Sequence, residues 1–411
     1  MASSPNTPRP PRDRETRALR LTADDLRVLP NFLRQETVGG ALMLVATIAA
    51  LLWANLAPGI YEGLRATQLG PLTVQHWATD GLLTIFFFVA GMELKREFVS
   101  GSLSDPKAAM VPVVAAICGM AVPAGFYVAV NATMADGHLN GWAIPMATDI
   151  AFAIAILAAV GSKLPVALRA FLLTLAIVDD LGAILVIAVV FTSDLRLVWL
   201  AGALACAVVW WLLQRRKIDT WFLYVPLFIG AWWCMLSSGV HATIAGVLLG
   251  LLTRSVASDP QDPVDRWSHF WHPVSAGFVV PIFALMAAGV RVSPSALAEM
   301  ITAPVGLGIV LGLVVGKVIG ISAGSYLTTR FTRATLAPDV RWSEIISISI
   351  LAGVGFTVAL FVTELAFPGH PELLAQGKAA VLTASVIAAI GGTIAIRSRV
   401  RARERSIPGI D

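Results

Sequence analysis

Hydrophobic residues run through this chain in long blocks separated by short polar stretches. Set against a bilayer core ~30 Å thick, which a helix crosses in ~20 residues, the blocks predict about twelve membrane helices. They lie near residues 38–57, 75–98, 107–131, 139–160, 166–191, 195–214, 221–237, 239–252, 271–290, 304–328, 343–366 and 376–396, with the split near Gly239 the least marked boundary.

Composition agrees. Hydrophobic residues make up 57% of the 411 and charged residues 14%, with a mean hydropathy of +0.77. This is the profile of an all-α polytopic membrane protein. A net charge of +4 could suggest nucleic acid, but the basic residues are spread over short loops between apolar runs. The positive-inside rule accounts for them better, and no nucleic-acid partner is expected. With the N-terminus inside, 25 of the 30 Lys and Arg fall on the inner side. Arg65, Arg196, Arg291 and Lys378 fall outside, and Lys317 lies within a helix. Both termini are then cytoplasmic and the chain crosses the cell's inner (plasma) membrane many times. Residues 1–35 read as an Arg- and Pro-rich cytoplasmic arm, 36–397 as the membrane domain and 398–411 as a basic cytoplasmic tail. The arm carries no apolar core with a small-residue cleavage site, so the first helix is expected to act as an uncleaved signal. Cys118, Cys206 and Cys234 are odd in number and lack metal-ligand spacing, which suits packing residues.

Charge inside the predicted spans is what carries chemistry. Asp179 and Asp180 interrupt Phe171-Leu-Leu-Thr-Leu-Ala-Ile-Val-Asp-Asp-Leu-Gly-Ala-Ile-Leu-Val-Ile-Ala-Val-Val190. Each such carboxylate costs ~2.5 to 3.5 kcal/mol at a helix centre, so the pair must face water, an ion or a partner. Neighbours in sequence are ~100° apart around a helix, so one can face a cavity while the other reaches a neighbouring helix. Two carboxylates this close resist double ionisation, which suits a site that exchanges protons for cations. Asp149 follows Thr148 and stands four residues after Pro145, where a helix break is expected; it either caps a half-helix, serves a site, or does both. Lys317 is the only basic residue within a span, and its partner is an aspartate or the C-terminal end of a half-helix. Gly353 and Gly355 mark a second candidate break. The helix with Asp149 is second in a set of three (about 107–191), and the helix with Gly353 is second in a later set (about 304–396) entered from the opposite side. Interrupted helices at matching places in inverted-topology repeats point to a transporter site, with the two broken helices crossing.

Four strings carry a family resemblance: Phe86-Phe-Phe-Val-Ala-Gly-Met-Glu-Leu-Lys-Arg-Glu97, Gly141-Trp-Ala-Ile-Pro-Met-Ala-Thr-Asp-Ile-Ala-Phe152, Ala176-Ile-Val-Asp-Asp-Leu-Gly182 and Gly239-Val-His-Ala-Thr-Ile-Ala-Gly246. Over about residues 32–396 the chain resembles the NhaA-type sodium/proton antiporters, a standard example of inverted repeats with broken helices, so repeat pattern and resemblance are not independent. The resemblance implies that Asp180 and Asp179 bind Na+ (or Li+) and protons, with Asp180 the more direct ligand. It places Thr148 and Asp149 at the helix crossing and Lys317 against Asp179 or helix ends. It also puts Glu93, Lys95, Arg96 and Glu97 at a cytoplasmic funnel where the family senses pH, the alternative being a solvated helix end. His241 is a further candidate for sensing because histidine titrates near neutrality. A homodimer is implied, and no cofactor beyond the transported ions. The sequence departs from the family's usual pattern at Ala287, in place of Asn, at Ala359, in place of a hydroxyl residue, and at Ser268, in place of an acid.

The activity expected is secondary active Na+/H+ antiport, electrogenic if more than one proton leaves for each cation bound, and rising toward alkaline pH as protons vacate the site. It would serve pH and sodium homeostasis. Three other activities could use such carboxylates: an intramembrane aspartyl protease, whose Gly-x-Gly-Asp signature is missing around Asp179; a passive cation channel; and a sodium-coupled solute symporter of similar fold. The chain is therefore expected to be a transporter rather than an enzyme.

Overall fold

The computed structural model describes residues 25–161, 163–192, 194–256, 262–291 and 302–405. Among these, nine helices are long and apolar enough to cross a membrane, and a tenth span is a pair bent by 48° at a break. The order along the chain is α1 (Asp25–Leu56), a short α2 (Pro58–Ala66), the two-residue strands β1 (Gln68–Leu69) and β2 (Leu72–Thr73), and α3 (Val74–Val99). Then come α4 (Pro106–Thr133), a 3-10 segment (Leu139–Met146) leading to α5 (Ile150–Val160), α6 (Val166–Val190) and α7 (Leu197–Arg215). The shorter apolar helices α8 (Trp221–Ser237) and α9 (Thr243–Leu252) follow, then α10 (Pro263–Ala287) and α11 (Pro304–Phe331). The bent pair α12 (Trp342–Leu351) and α13 (Phe356–Ala366) and the long α14 (Pro371–Glu404) complete the chain.

Every predicted span corresponds to one of these elements. The boundary near Gly239 is real: Gly239 takes a φ of +87°, which ends α8 and lets α9 start afresh at Thr243. Three boundaries move. The first helix starts at Asp25, inside the stretch predicted as arm, because Leu, Arg, Gln and Glu between residues 26 and 36 are strong helix formers. Residues 1–24 of the arm lie outside the described residues. Helix α10 starts at Pro263, eight residues before the expected 271, since Asp262 caps it by accepting from the Val264 N–H and Pro263 suits the first turn. Helix α14 runs into the predicted tail, where the Arg403 guanidinium donates to both carboxylate oxygens of Glu344 at 2.5 and 2.9 Å and Lys163 pairs with Glu404. Residues 406–411 lie outside the described set.

Large apolar side chains stand exposed on the outer helices: Val45, Val198, Val189, Trp221 and Phe222. Such a surface suits contact with lipid. The interior holds Asp149, Asp179, Asp180 and Lys317, and glycines bring its helices close. A Cβ at Gly320 would lie 2.4 Å from the Cys118 carbonyl oxygen, and one at Gly316 2.8 Å from Pro123 Cα. Helices α11 and α4 therefore meet backbone to backbone. Between α3 and α9, Gly246 and Gly250 serve the same end, with Cβ positions 2.2 and 2.5 Å from the carbonyl oxygens of Thr84 and Phe88.

Candidate ion-binding site

Two interrupted stretches cross at the centre of the molecule. In the first, the 3-10 segment ends at Met146 and α5 begins at Ile150, leaving residues 147–149 extended. In the second, α12 ends at Leu351 and α13 begins at Phe356. Breaks inside a membrane free backbone groups that nothing in lipid can satisfy. Here each break satisfies the other. The Asp149 N–H donates to Val354 O at 2.6 Å and the Thr148 hydroxyl to Ala352 O at 2.8 Å. The Asp149 carboxylate accepts from the Phe152 N–H at 2.9 Å on one oxygen and from the Thr357 N–H and hydroxyl on the other, at 3.1 and 2.7 Å. One buried carboxyl group thus sits at the positive N-terminal ends of both α5 and α13.

Space, not backbone freedom, dictates glycine in the second break. A Cβ on Gly353 would lie 2.5 Å from Leu313 O, and one on Gly355 3.0 Å from the Leu313 side chain.

Lys317 is fully buried, immediately after a π-helical turn at Gly312–Gly316. Its ammonium donates to Asp179 Oδ2 at 2.5 Å and to the carbonyl of Met146, the C-terminal end of the first half-segment. The two partners left open by the sequence are both engaged.

Asp180 faces elsewhere. It lines two cavities with Glu93, the first also touching Ile177, Leu181 and Val247, the second reaching Gly39, Ser275 and His272. Gly39 and Glu93 place the mouth on the side where α1 enters its apolar span and α3 ends. Asp179, Asp149, Lys317 and Glu93 all lie within electrostatic reach of Asp180. Asp179 Oδ1 and Asp180 Oδ1 are buried and accept no hydrogen bond of ordinary geometry among the described residues, with Thr148 close beside the Asp179 carboxylate. Oxygens in that condition fit a bound cation or a proton.

A family model described as Na+/H+ antiporter 1 matches residues 30–396. The chain belongs to this antiporter family. It is 57% identical over 371 residues to a Na(+)/H(+) antiporter NhaA of Cutibacterium acnes, covering 90% of this chain and 88% of the relative. To a Na(+)/H(+) antiporter NhaA 3 of Streptomyces coelicolor it is 52% identical, covering 92% and 82%. A Na(+)/H(+) antiporter NhaA of Thermobifida fusca is 49% identical, with 91% and 94% covered.

In this antiporter-family chain the remaining predicted residues divide. Glu93 is at the cavity, 3.8 Å from His272. Arg96 lies outside it, 3.5 Å from Asp265, and Lys95 is half-buried. Glu97 closes the turn after α3, accepting from the Ser102 N–H and hydroxyl at 2.8 and 2.9 Å. His241 belongs to the opposite half, its Nε2 3.0 Å from Phe191 O and its ring edge-on to Phe361. The five sensing candidates therefore do not form one group. Thr357 was missed as a site residue; a hydroxyl two positions after Gly355 was its only signal. The carbonyl end of α10 is satisfied by Tyr61, which donates to Leu285 O and Met286 O, and by Asn55, which donates to Val290 O, so Ala287 is simply packed.

Proposed function

We infer that this chain exchanges Na+, or Li+, for protons across the inner membrane, extruding the cation through a shared site on Asp180 and Asp179. The observation that carries the reading is the position of Asp180: a buried carboxylate that lines a cavity, adjoining a carboxylate held by a buried lysine. Na+ is a hard cation and takes oxygen ligands. Asp180, the Oδ1 of Asp179, the Thr148 hydroxyl oxygen and water supply them. Among the described residues no three acidic, His or Cys side chains already converge on one point, so water and small shifts of these groups complete the shell.

Lys317 gives the exchange its logic. It neutralises Asp179 when no cation is present, and Na+ bound between the aspartates takes over that role. Protons and Na+ then exclude one another. If Asp180 and one member of the Asp179–Lys317 pair both give up a proton, two protons cross for each Na+. Net charge then moves, and a membrane potential adds ~2.3 kcal/mol per charge per 100 mV to the driving force. The crossing stretches are the elements that tilt, within inverted repeats spanning about 107–191 and 304–396. Both termini are cytoplasmic, and the resemblance supports a homodimer.

Purified protein in liposomes with a preset pH gradient tests this. Added Na+ or Li+ collapses the gradient if the reading holds; no response to either cation between pH 6.5 and 8.5 contradicts it.

A further inference from the structure

Both cavities at Asp180 include Glu93, and the second reaches Gly39, on the side where α1 enters its apolar span; exchange through this site requires a seal toward the opposite side. The seal has two layers. Nearest the site, Phe87 and Phe361 are buried with ring centroids 6.0 Å apart, and α3 and α9 meet through Gly246. Beyond them, toward the face that carries the β1–β2 hairpin, lies an ion pair: Lys378 Nζ to Glu364 Oε1 at 2.7 Å, with side-chain exposures of 3% and 12%. The Gln75 amide donates to both oxygens of the same carboxylate at 3.1 and 3.2 Å. Arg65, paired with Glu62 at 3.1 Å, adds a second positive charge within reach of Glu364.

Resting on the exchange reading above, we propose that Glu364, Lys378 and Gln75 form the gate of the hairpin face, a latch that holds the Asp180 site closed to that side and parts when the site turns toward it. Three elements meet in this cluster: the end of α13, the start of α14 and the start of α3. Helix α13 is the half-helix whose first turn holds Asp149 through Thr357, and Thr357, Phe361 and Glu364 share one of its faces at helical spacing. The latch and the crossing are thus opposite ends of one short rigid rod. A buried ion pair suits a two-state gate. Dry, it is strong because the local dielectric is low; once water enters, each charge is hydrated and the hold is lost. An aromatic layer alone has no such release.

The test uses the full-length protein with Cys118, Cys206 and Cys234 replaced by alanine and a reporter Thr84→Cys, fully buried on α3 between Gln75 and Phe87. A membrane-impermeant maleimide is applied to the hairpin face. Neutralising both partners (Glu364→Gln with Lys378→Gln) leaves no unpaired buried charge. The gate predicts reporter labelling at least about tenfold faster, with the ratio of Na+ KM values at the two faces shifting toward tighter binding from the hairpin face, as a population shift requires. Exchanging the charges (Glu364→Lys with Lys378→Glu) returns both readouts toward the parent. Gln75→Ala, which keeps the pair, speeds labelling about two- to threefold and guards against misfolding of the double variants. Labelling and KM ratio unchanged in every folded variant overturn the gate, whereas a purely structural pair lowers thermal stability without moving either. The labelling does not depend on transport, so a parent that labels as expected but fails to exchange ions overturns the exchange reading and not the seal.

Discussion

Asp149 Oδ2 accepts two hydrogen bonds from Thr357, from its backbone N–H at 3.1 Å and from its hydroxyl at 2.7 Å. This contact joins α5, whose cap is Asp149, to α13, whose first turn contains Thr357. Replacing Thr357 by Val keeps the shape and removes the hydroxyl. Loss of one buried bond to a carboxylate should lower stability by roughly 1 to 3 kcal/mol. The apparent affinity for Na+ should weaken with it, because the crossing holds Thr148 next to the aspartates. Thermal unfolding in detergent and the KM for Na+ check this, and no change in either would detach the crossing from the site.

The Lys317–Asp179 pair is fully buried on both sides. Lys317→Met strands a carboxylate and should cost about 3 to 5 kcal/mol; adding Asp179→Asn should recover most of that, since neither charge then remains. A double-mutant cycle on unfolding midpoints reads the coupling directly. Strict additivity would mean the pair does not act as a unit.

Gly353→Ala should be severe. The new methyl meets Leu313 O at 2.5 Å and Ala388 Cβ and Ile350 O at 3.1 Å, contacts relieved only by moving backbone. Overpacking of this kind costs roughly 1 to 3 kcal/mol and should stop exchange by spreading the crossing. Gly125→Ala, in the interior of α4 with nothing within 4 Å, serves as the control and should be stabilising by roughly 0.5 to 1 kcal/mol.

Competition between protons and Na+ fixes a pH dependence with a definite sign. As pH falls, protons fill the carboxylates and the apparent KM for Na+ rises; as pH rises it falls, by up to about tenfold per pH unit for each proton displaced. A slope above one proton per Na+ is what electrogenic exchange requires. Initial rates at several Na+ concentrations across pH 6.5 to 8.5 supply it, and a KM independent of pH would mean separate sites.

Much of this was legible in the sequence for identifiable reasons. Spans are long apolar runs, and a carboxylate pair inside one cannot be there by default, so Asp179 and Asp180 stood out against their own helix. Pro145 announced the first break because it removes an amide donor. Gly353 and Gly355 were ambiguous, since glycine also serves close packing, and they turn out to serve it within the break. Partners that depend on backbone atoms, such as the Met146 carbonyl for Lys317 and Val354 O for Asp149, leave no mark on side-chain identity. Contacts between distant helices are equally silent: nothing near Lys378 in sequence points to Glu364 or Gln75. The start of α10 was overlooked for a different reason, a polar first turn that hydropathy discounts although Asp262 and Pro263 mark it.

The central claim is that Asp180 carries the exchanged ion. The most direct measurement compares wild type with Asp180→Asn, both in proteoliposomes with a preset pH gradient, on addition of Na+ between pH 6.5 and 8.5. Asparagine keeps the shape and removes the titratable charge. The account predicts Na+-driven collapse of the gradient with wild type and none above protein-free liposomes with the variant; equal activity in the two would contradict it.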